Sequence, residues 1–500
     1  MTISDTRLLA RICLAFGICV GLSVRDAAAQ WIPIDLGSLA GGDTWAYALN
    51  DHGQVVGVST AASNDSVYRA FSWTLAGGMI DLGTLGGSRS SSSAVNNNGQ
   101  IVGWSTTVGD GTARMFSWTT ATGMVDLDTT AGGSTPIAVT DSGQIVGSTP
   151  FLRDFPDFVY PHAFSWTPAG GMLDLGSLGF FSEPWAVNDG KVVGYSAIDA
   201  NYLLVHAFSW TWASGMVDLG TLGGNYSLAV AVNRKGQSVG WAQAVDGQAH
   251  AVSWTPAGAL VDLGTLGGRM STASAVNNQG QVVGTAFTAG EFERTHAFSW
   301  TGPGGMIDLG TLGGSDSYAS AVNINGQVVG DSDLANGQVH AYSWTPGGRM
   351  VDLGTLGGDS SSAVAVNDRG QIIGSSRFPD PVSYGQYKWV GVLWEPIADL
   401  GCTGTLAGCD LKGANLSGAY LKGANLSDAN LKKVNFSRAN LAGARLTRAN
   451  LKNVVFSNAN LLGAQLTGAD VSNAVWSNTI CPDGTNSDSN GGTCKGHFKE

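Results

Sequence analysis

The side chains best suited to chemistry in this chain recur at long intervals instead of clustering. His162, His206, His250, His296 and His340 each precede Ala-x-Ser-Trp, at steps of 44 to 46 residues. Imidazoles in that number suggest a metal centre. Held one repeat apart they cannot share an ion, so a structural hydrogen-bonding role is expected. A tryptophan recurs in the same way (Trp73, Trp118, Trp166, Trp210, Trp254, Trp300, Trp344, Trp394). One such ring at a fixed position of every repeat is better suited to packing between repeats than to a ligand site. Asp-Leu recurs nine times, at Asp35, Asp81, Asp126, Asp174, Asp218, Asp262, Asp308, Asp352 and Asp399, at steps of 44 to 48 residues. Its carboxylate is expected to brace a turn.

No metal site or cofactor is assigned from these repeats, and one segment stands as a calcium candidate. Asn486, Asp488, Asn490 and Gly491 follow the opening of a calcium loop, with Asn in place of the first Asp. The twelfth position is His497, so the bidentate carboxylate is missing, and a Gly/Asn/Asp-rich loop closed by cysteines is the competing reading. Asp331 and Asp333 form a shorter Asp-x-Asp. No Gly-x-Ser-x-Gly, His-Glu-x-x-His or glycine-rich phosphate loop occurs, and no catalytic residue is assigned. An enzyme would have to work through carboxylates gathered at a channel mouth.

The elements that position these residues follow from the period. Each repeat holds four short apolar runs, as in Tyr318 to Asn323, Gln327 to Ser332, His340 to Thr345 and Met350 to Leu353. Asn-x-x-Gly separates the first two, and Thr-Pro-Gly-Gly the last two, both turn-forming. Runs of four to six residues rich in β-branched and aromatic types read as strands. Four antiparallel strands in a unit of this length is the blade of a β-propeller. Eight copies of the first three strands and nine of the Asp-Leu strand predict a closed eight-bladed ring, completed by Trp31 to Gly37. An open solenoid is the runner-up.

The strings His162-Ala-Phe-Ser-Trp, His206-Ala-Phe-Ser-Trp and His296-Ala-Phe-Ser-Trp, with Asp308-Leu-Gly-Thr-Leu-Gly-Gly, resemble the bacterial extracellular HAF repeat. The resemblance covers residues 31 to about 401 and implies fold and compartment without implying an activity. Arg69 and Arg114 stand where His is expected, and Val390 does so in the last unit.

From Leu411 the period becomes five: Leu411, Leu416, Leu421 and onward through Phe436, Phe456, Val471 and Trp476. This resembles the pentapeptide-repeat family, which implies a right-handed quadrilateral β-helix. Phe436, Phe456 and Trp476 are 20 residues apart, as are Val434 and Val454. Four pentapeptides per coil would stack these oversized groups on one face. The expected organisation is all-β throughout: residues 1–29 a signal peptide, 30–401 the propeller, 402–478 the β-helix, and 479–500 a tail closed by a disulfide.

The leader reading rests on Arg7 and Arg11, an apolar stretch from Ile12 to Val24, and Ala27-Ala28-Ala29 before Gln30. Cleavage after Ala29 would deliver the chain to the periplasm or the medium, with no transmembrane segment. Cys402, Cys409, Cys481 and Cys494 would then remain, and in an oxidising compartment they read as two disulfides pairing nearest neighbours. Residues 30–409 carry 13 basic and 30 acidic side chains, and residues 410–478 carry eight basic and three acidic. An acidic exported chain is not expected to bind nucleic acid, and a basic rod is unsuited to imitating DNA.

The loops between second and third strands are the most variable part of the repeat and hold extra aromatics. These include Phe151, Phe155, Phe158 and Tyr160, and Phe378, Tyr384, Tyr387 and Trp389. Rigid scaffolds carry recognition on such loops. The functional expectation is a non-catalytic binding module that recognises a surface glycan or a protein, with Phe158, Tyr160, Tyr384 and Trp389 as candidate ligand-binding residues. Packing of these rings onto their own loops is the competing reading. An enzyme acting on an extracellular polymer at the channel mouth is the alternative function.

Overall fold

In a computed structural model, residues 31–498 are described except 62–63, 110, 128–132, 152–159, 291–292, 380–386 and 403–404. At 61, 64–66, 150–151, 160, 379 and 399 the backbone alone is described. The expected leader lies outside the described residues.

The chain is all-β and propeller-like. Successive groups of four antiparallel strands pair in chain order, beginning with Gly41–Leu49, Val55–Ala61, Asn64–Thr74 and Gly78–Asp81. We number these units one to eight. Units four and five join through a single parallel pair, Val205 with Tyr226. The eighth unit (Ser361–Val366, Ile372–Pro379, Tyr387–Pro396) takes its outermost strand from the other end of the chain, Trp31–Asp35. First strands of neighbouring units touch in turn, and unit eight touches unit one.

Local chemistry explains the repeat. In unit one, Asn50 Oδ1 accepts the N–H groups of His52 and Gln54, which forms the turn between first and second strands. Asn50 Nδ2 reaches the carbonyl of Asn96 in the next unit at 2.9 Å. Asn233, Asn277 and Asn323 repeat both roles, and Asn367 donates to Asn50 O, so the contacts cross the seam from unit eight to unit one. The tryptophans pack as expected: Trp254 and Trp394 are fully buried, with Nε1 donating to Leu219 O and Leu353 O of the preceding unit.

First strands begin earlier than their apolar runs suggest. In unit seven the strand is Gly313–Val322, starting at the Gly-Gly pair. A Cβ at Gly314 would lie 2.4 Å from the Asp333 side chain, so only glycine lets the strands meet there. Each first strand also carries a register shift, between Ala46 and Ala48 in unit one and between Pro184 and Ala186 in unit four.

Beyond Leu411 the chain forms coils. Parallel bridges link residues 20 apart, from Asp410 with Asn430 to Asn460 with Ile480. Leu416, Leu431, Leu451 and Leu461 are fully buried inside, as are Val434 and Val454. Phe436 stacks on Phe456 with centroids 5.7 Å apart, and Phe456 on Trp476 at 4.8 Å. The first coil docks on the outer edge of the closing strand: Ile34 bridges Ala419, and Tyr420 N donates to Pro33 O at 2.8 Å. The rod thereby covers a strand edge that would otherwise stand open. Disulfides Cys402–Cys409 and Cys481–Cys494 lie at its two ends.

Candidate binding face of the ring

The repeated histidines are structural clasps. His162, His206, His250, His296 and His340 each place Nδ1 2.8–3.0 Å from a carboxylate 12 residues on, at Asp174, Asp218, Asp262, Asp308 and Asp352. The clasp ties the third strand to the end of the fourth. The same Asp accepts the N–H of the glycine two residues later, for example Gly310 N to Asp308 at 2.7 Å. Arg114 serves Asp126 in the same way at 2.7 Å, and Arg69 lies 3.8 Å from Asp81. The pairing was legible in the constant spacing of 12 and in the Arg substitutions, but each partner alone did not reveal it. In unit eight Val390 takes the His position, and the matching carboxylate is Asp35. Burial beneath the rod pushes its carboxyl above the ordinary range, against the pull of the Gly37 N–H, Arg438 and Lys388.

One end of the ring holds a cavity of about 400 Å³ lined by all eight units, including Asn50, Asn96, Asn233, Asn277, Asn323 and Asn367. Carboxylates do gather at this mouth, yet most are already engaged. Asp141 accepts the backbone and side-chain N–H groups of Asn97. Asp368 accepts Ile324 N, and Asp51 accepts Asp368 N and Asn97 Nδ2. They fasten one unit to the next.

Loops between second and third strands lie at the opposite end, beside the connections between units, as Val205 and Tyr226 show by pairing there. Of the four aromatic candidates, Phe158 and Tyr384 lie outside the described residues, and of Tyr160 only the strand is described. Trp389 is half-buried, with its backbone N–H donating to Asp43 Oδ1 of unit one at 3.0 Å. Nearby Tyr387 is exposed and lies under the Arg377 guanidinium, 4.3 Å from its centroid. Tyr202 leans on Phe181 with centroids 5.0 Å apart, which is packing of a loop onto its unit.

Aromatics outside those loops are exposed to the same degree as Tyr202 and Tyr387, and Trp212, in the turn after the third strand of unit four, more so. Tyr47, Trp185 and Tyr318, on the first strands of units one, four and seven, are 46–48% exposed. Tyr47 and Trp185 are the extra residues at the register shifts, and a bulge turns its extra residue out of the ladder. Between units one and two, Trp45, Tyr47, Tyr68 and Trp104 line a cleft of about 580 Å³ with Asp43, Val58, Thr60 and Ser91. Sequence reasoning missed all of these. The available signal was departure from the repeat: Ser91 and Ser362 occupy the register position of Trp45.

The calcium candidate folds into a short 3-10 turn. Asn486 caps it through Asp488 N, Asp488 accepts Asn478 N, and Asn490 Nδ2 donates to Thr485. These groups hold the tail on the rod.

A family model described as pentapeptide repeats matches residues 405–438 and 435–473. The chain is similar to HetL, a pentapeptide repeat protein involved in heterocyst differentiation regulation in the cyanobacterium Nostoc, at 40% identity. That match covers 16% of this chain and 39% of HetL, with a TM-score of 0.12. A pentapeptide repeat protein of the Arabidopsis thaliana thylakoid lumen matches at 29% identity over 18% of this chain and 74% of its own, with a TM-score of 0.15. The β-propeller domain of the trilobed protease of Pyrococcus furiosus matches at 12% identity over 62% and 96%, with a TM-score of 0.42. No curated protein matches the chain. Among the described residues no helix is long and apolar enough to cross a membrane.

Proposed function

We propose that this chain is an exported, non-catalytic binding protein: an eight-bladed propeller of HAF repeats closed by its amino-terminal strand, followed by a right-handed quadrilateral β-helix. Its ligand is a surface glycan, held at the aromatic end of the ring. One observation carries the reading: Tyr47, Trp185 and Tyr318 stand nearly half exposed on the first strands of three units, and Tyr202 and Tyr387 are as exposed beside the loops between second and third strands. Open aromatic faces on a rigid scaffold suit the apolar faces of sugar rings. Two disulfides fit an oxidising compartment. The engagement of Asp51, Asp141 and Asp368 in fastening units argues against the catalytic alternative.

The test is a glycan array probed with the mature chain and with a Tyr47→Ala/Trp185→Ala/Tyr318→Ala variant of matched melting temperature. Binding by the first and loss in the second supports the reading. A blank array, or binding only to proteins in a parallel pull-down, overturns it. Release of reducing ends from a bound polymer would overturn the non-catalytic assignment.

A further inference from the structure

Tyr68 and Trp104 meet edge to face across units one and two, with centroids 5.8 Å apart. They form one wall of the cleft completed by Trp45 and exposed Tyr47. Four aromatic rings around a concavity of about 580 Å³ can enclose a pyranose, a ring with apolar faces and a hydroxylated rim. Val58 and Thr60 are buried in the central strands of unit one, so the walls stand on rigid sheet. The cleft also borders unit eight: Asp43, on its lining, accepts the N–H of Trp389.

The rim carries a cation. Arg89, at the start of unit two, holds its guanidinium 5.8 Å from the Tyr68 centroid. Its side chain is exposed and makes no ion pair among the described residues. Four other arginines of the ring are paired, Arg69 with Asp81, Arg114 with Asp126, Arg269 with Glu293 and Arg377 with Asp359, whereas Arg89 is the one set over an aromatic face of this cleft. A planar guanidinium resting on an aromatic face keeps its fork free for a carboxylate. The ring as a whole is acidic, but charges beyond about 8 Å are screened at physiological ionic strength. The local charges are Arg89 at the rim and Asp43 on the lining, whose carboxylate is already engaged by the Trp389 N–H.

We propose that this cleft binds a uronic-acid residue of an acidic glycan, with Trp45, Tyr47, Tyr68 and Trp104 enclosing the sugar ring and Arg89 pairing its carboxylate. The proposal rests on the reading of this end of the ring as a glycan-binding surface. The experiment is calorimetric titration of the mature chain with two tetrasaccharides of identical linkage, one of glucuronic acid and one of glucose. The expected result is tighter binding of the glucuronic-acid chain. Arg89→Ala removes that preference, and Tyr47→Ala weakens binding of both sugars; both side chains are exposed, so both variants fold. Equal affinity for the two sugars, or a preference that survives Arg89→Ala, overturns the proposal while leaving the glycan-binding reading intact. Binding of neither, alongside array hits lost in the triple variant, also overturns this site alone. A blank array removes both.

Discussion

Asp331 of unit seven accepts the Ser362 hydroxyl and the Ala363 N–H of unit eight, both at 3.0 Å, so one carboxylate bridges two units. Burial outweighs those two hydrogen bonds and pushes its carboxyl from the ordinary 3.8 up to about 6. The folded chain therefore holds this proton more tightly than the unfolded chain does. Stability from this group is fully present below the unfolded value, falls as pH rises through the window between the two values, and levels off above the folded one. The difference across the window is up to roughly 3 kcal/mol. Asp331→Asn, uncharged throughout, should flatten the pH dependence of denaturant midpoints in that window and leave the variant more stable at neutral pH; an unchanged slope would assign the dependence to other groups. Tyr342 packs nearby, where Phe71, Phe116, Phe164, Phe208 and Phe298 stand in five other units and Val252 and Val392 in the remaining two, and its buried hydroxyl has no hydrogen-bond partner among the described residues. Tyr342→Phe should raise stability by about 1 kcal/mol, because the hydroxyl is desolvated without return. A measured loss would mean the hydroxyl has a partner.

The elements were the most legible part of the sequence, since a period repeated many times averages out local ambiguity. Four strands per unit, closure by residues 31–35 and the stack of Phe436, Phe456 and Trp476 all follow from spacing alone. What spacing hides is any feature set by the facing backbone. The bulge that turns Tyr47 outward arises where Gly57 lies against the carbonyl of Trp45, too close for any Cβ. The cleft needs Trp45 and Trp104, from different units, and nothing in one repeat announces the other. In the rod, Phe456 is fully buried between its two neighbours. Phe456→Ala should cost about 3–5 kcal/mol, and Phe456→Asp should unfold the coils, whereas exposed Lys452→Ala should be nearly silent. Calorimetry of the three variants checks this; cooperative unfolding of Phe456→Asp at the native temperature would mean the stack does not form.

At the scale of the whole molecule, the chain ends are what make it one body. The strand Trp31–Asp35 closes the ring, and the first coil of the rod covers that strand, so the two parts share a core through Ile34, Leu36, Leu416 and Ala419. The two disulfides close short loops at either end of the rod. Alkylation of the chain purified without reductant should label none of Cys402, Cys409, Cys481 and Cys494 until a reductant is added, and all four afterwards. Labelling before reduction would remove the bridges from the account. Function at this scale depends on which end of the ring meets its ligand. The most direct measurement is a crystal structure of the chain soaked with the best glycan from the array. The account predicts sugar density against Tyr47, Trp185, Tyr318 or the Trp45–Trp104 cleft. Density at the asparagine-lined mouth or on the rod, with these rings bare, would contradict it.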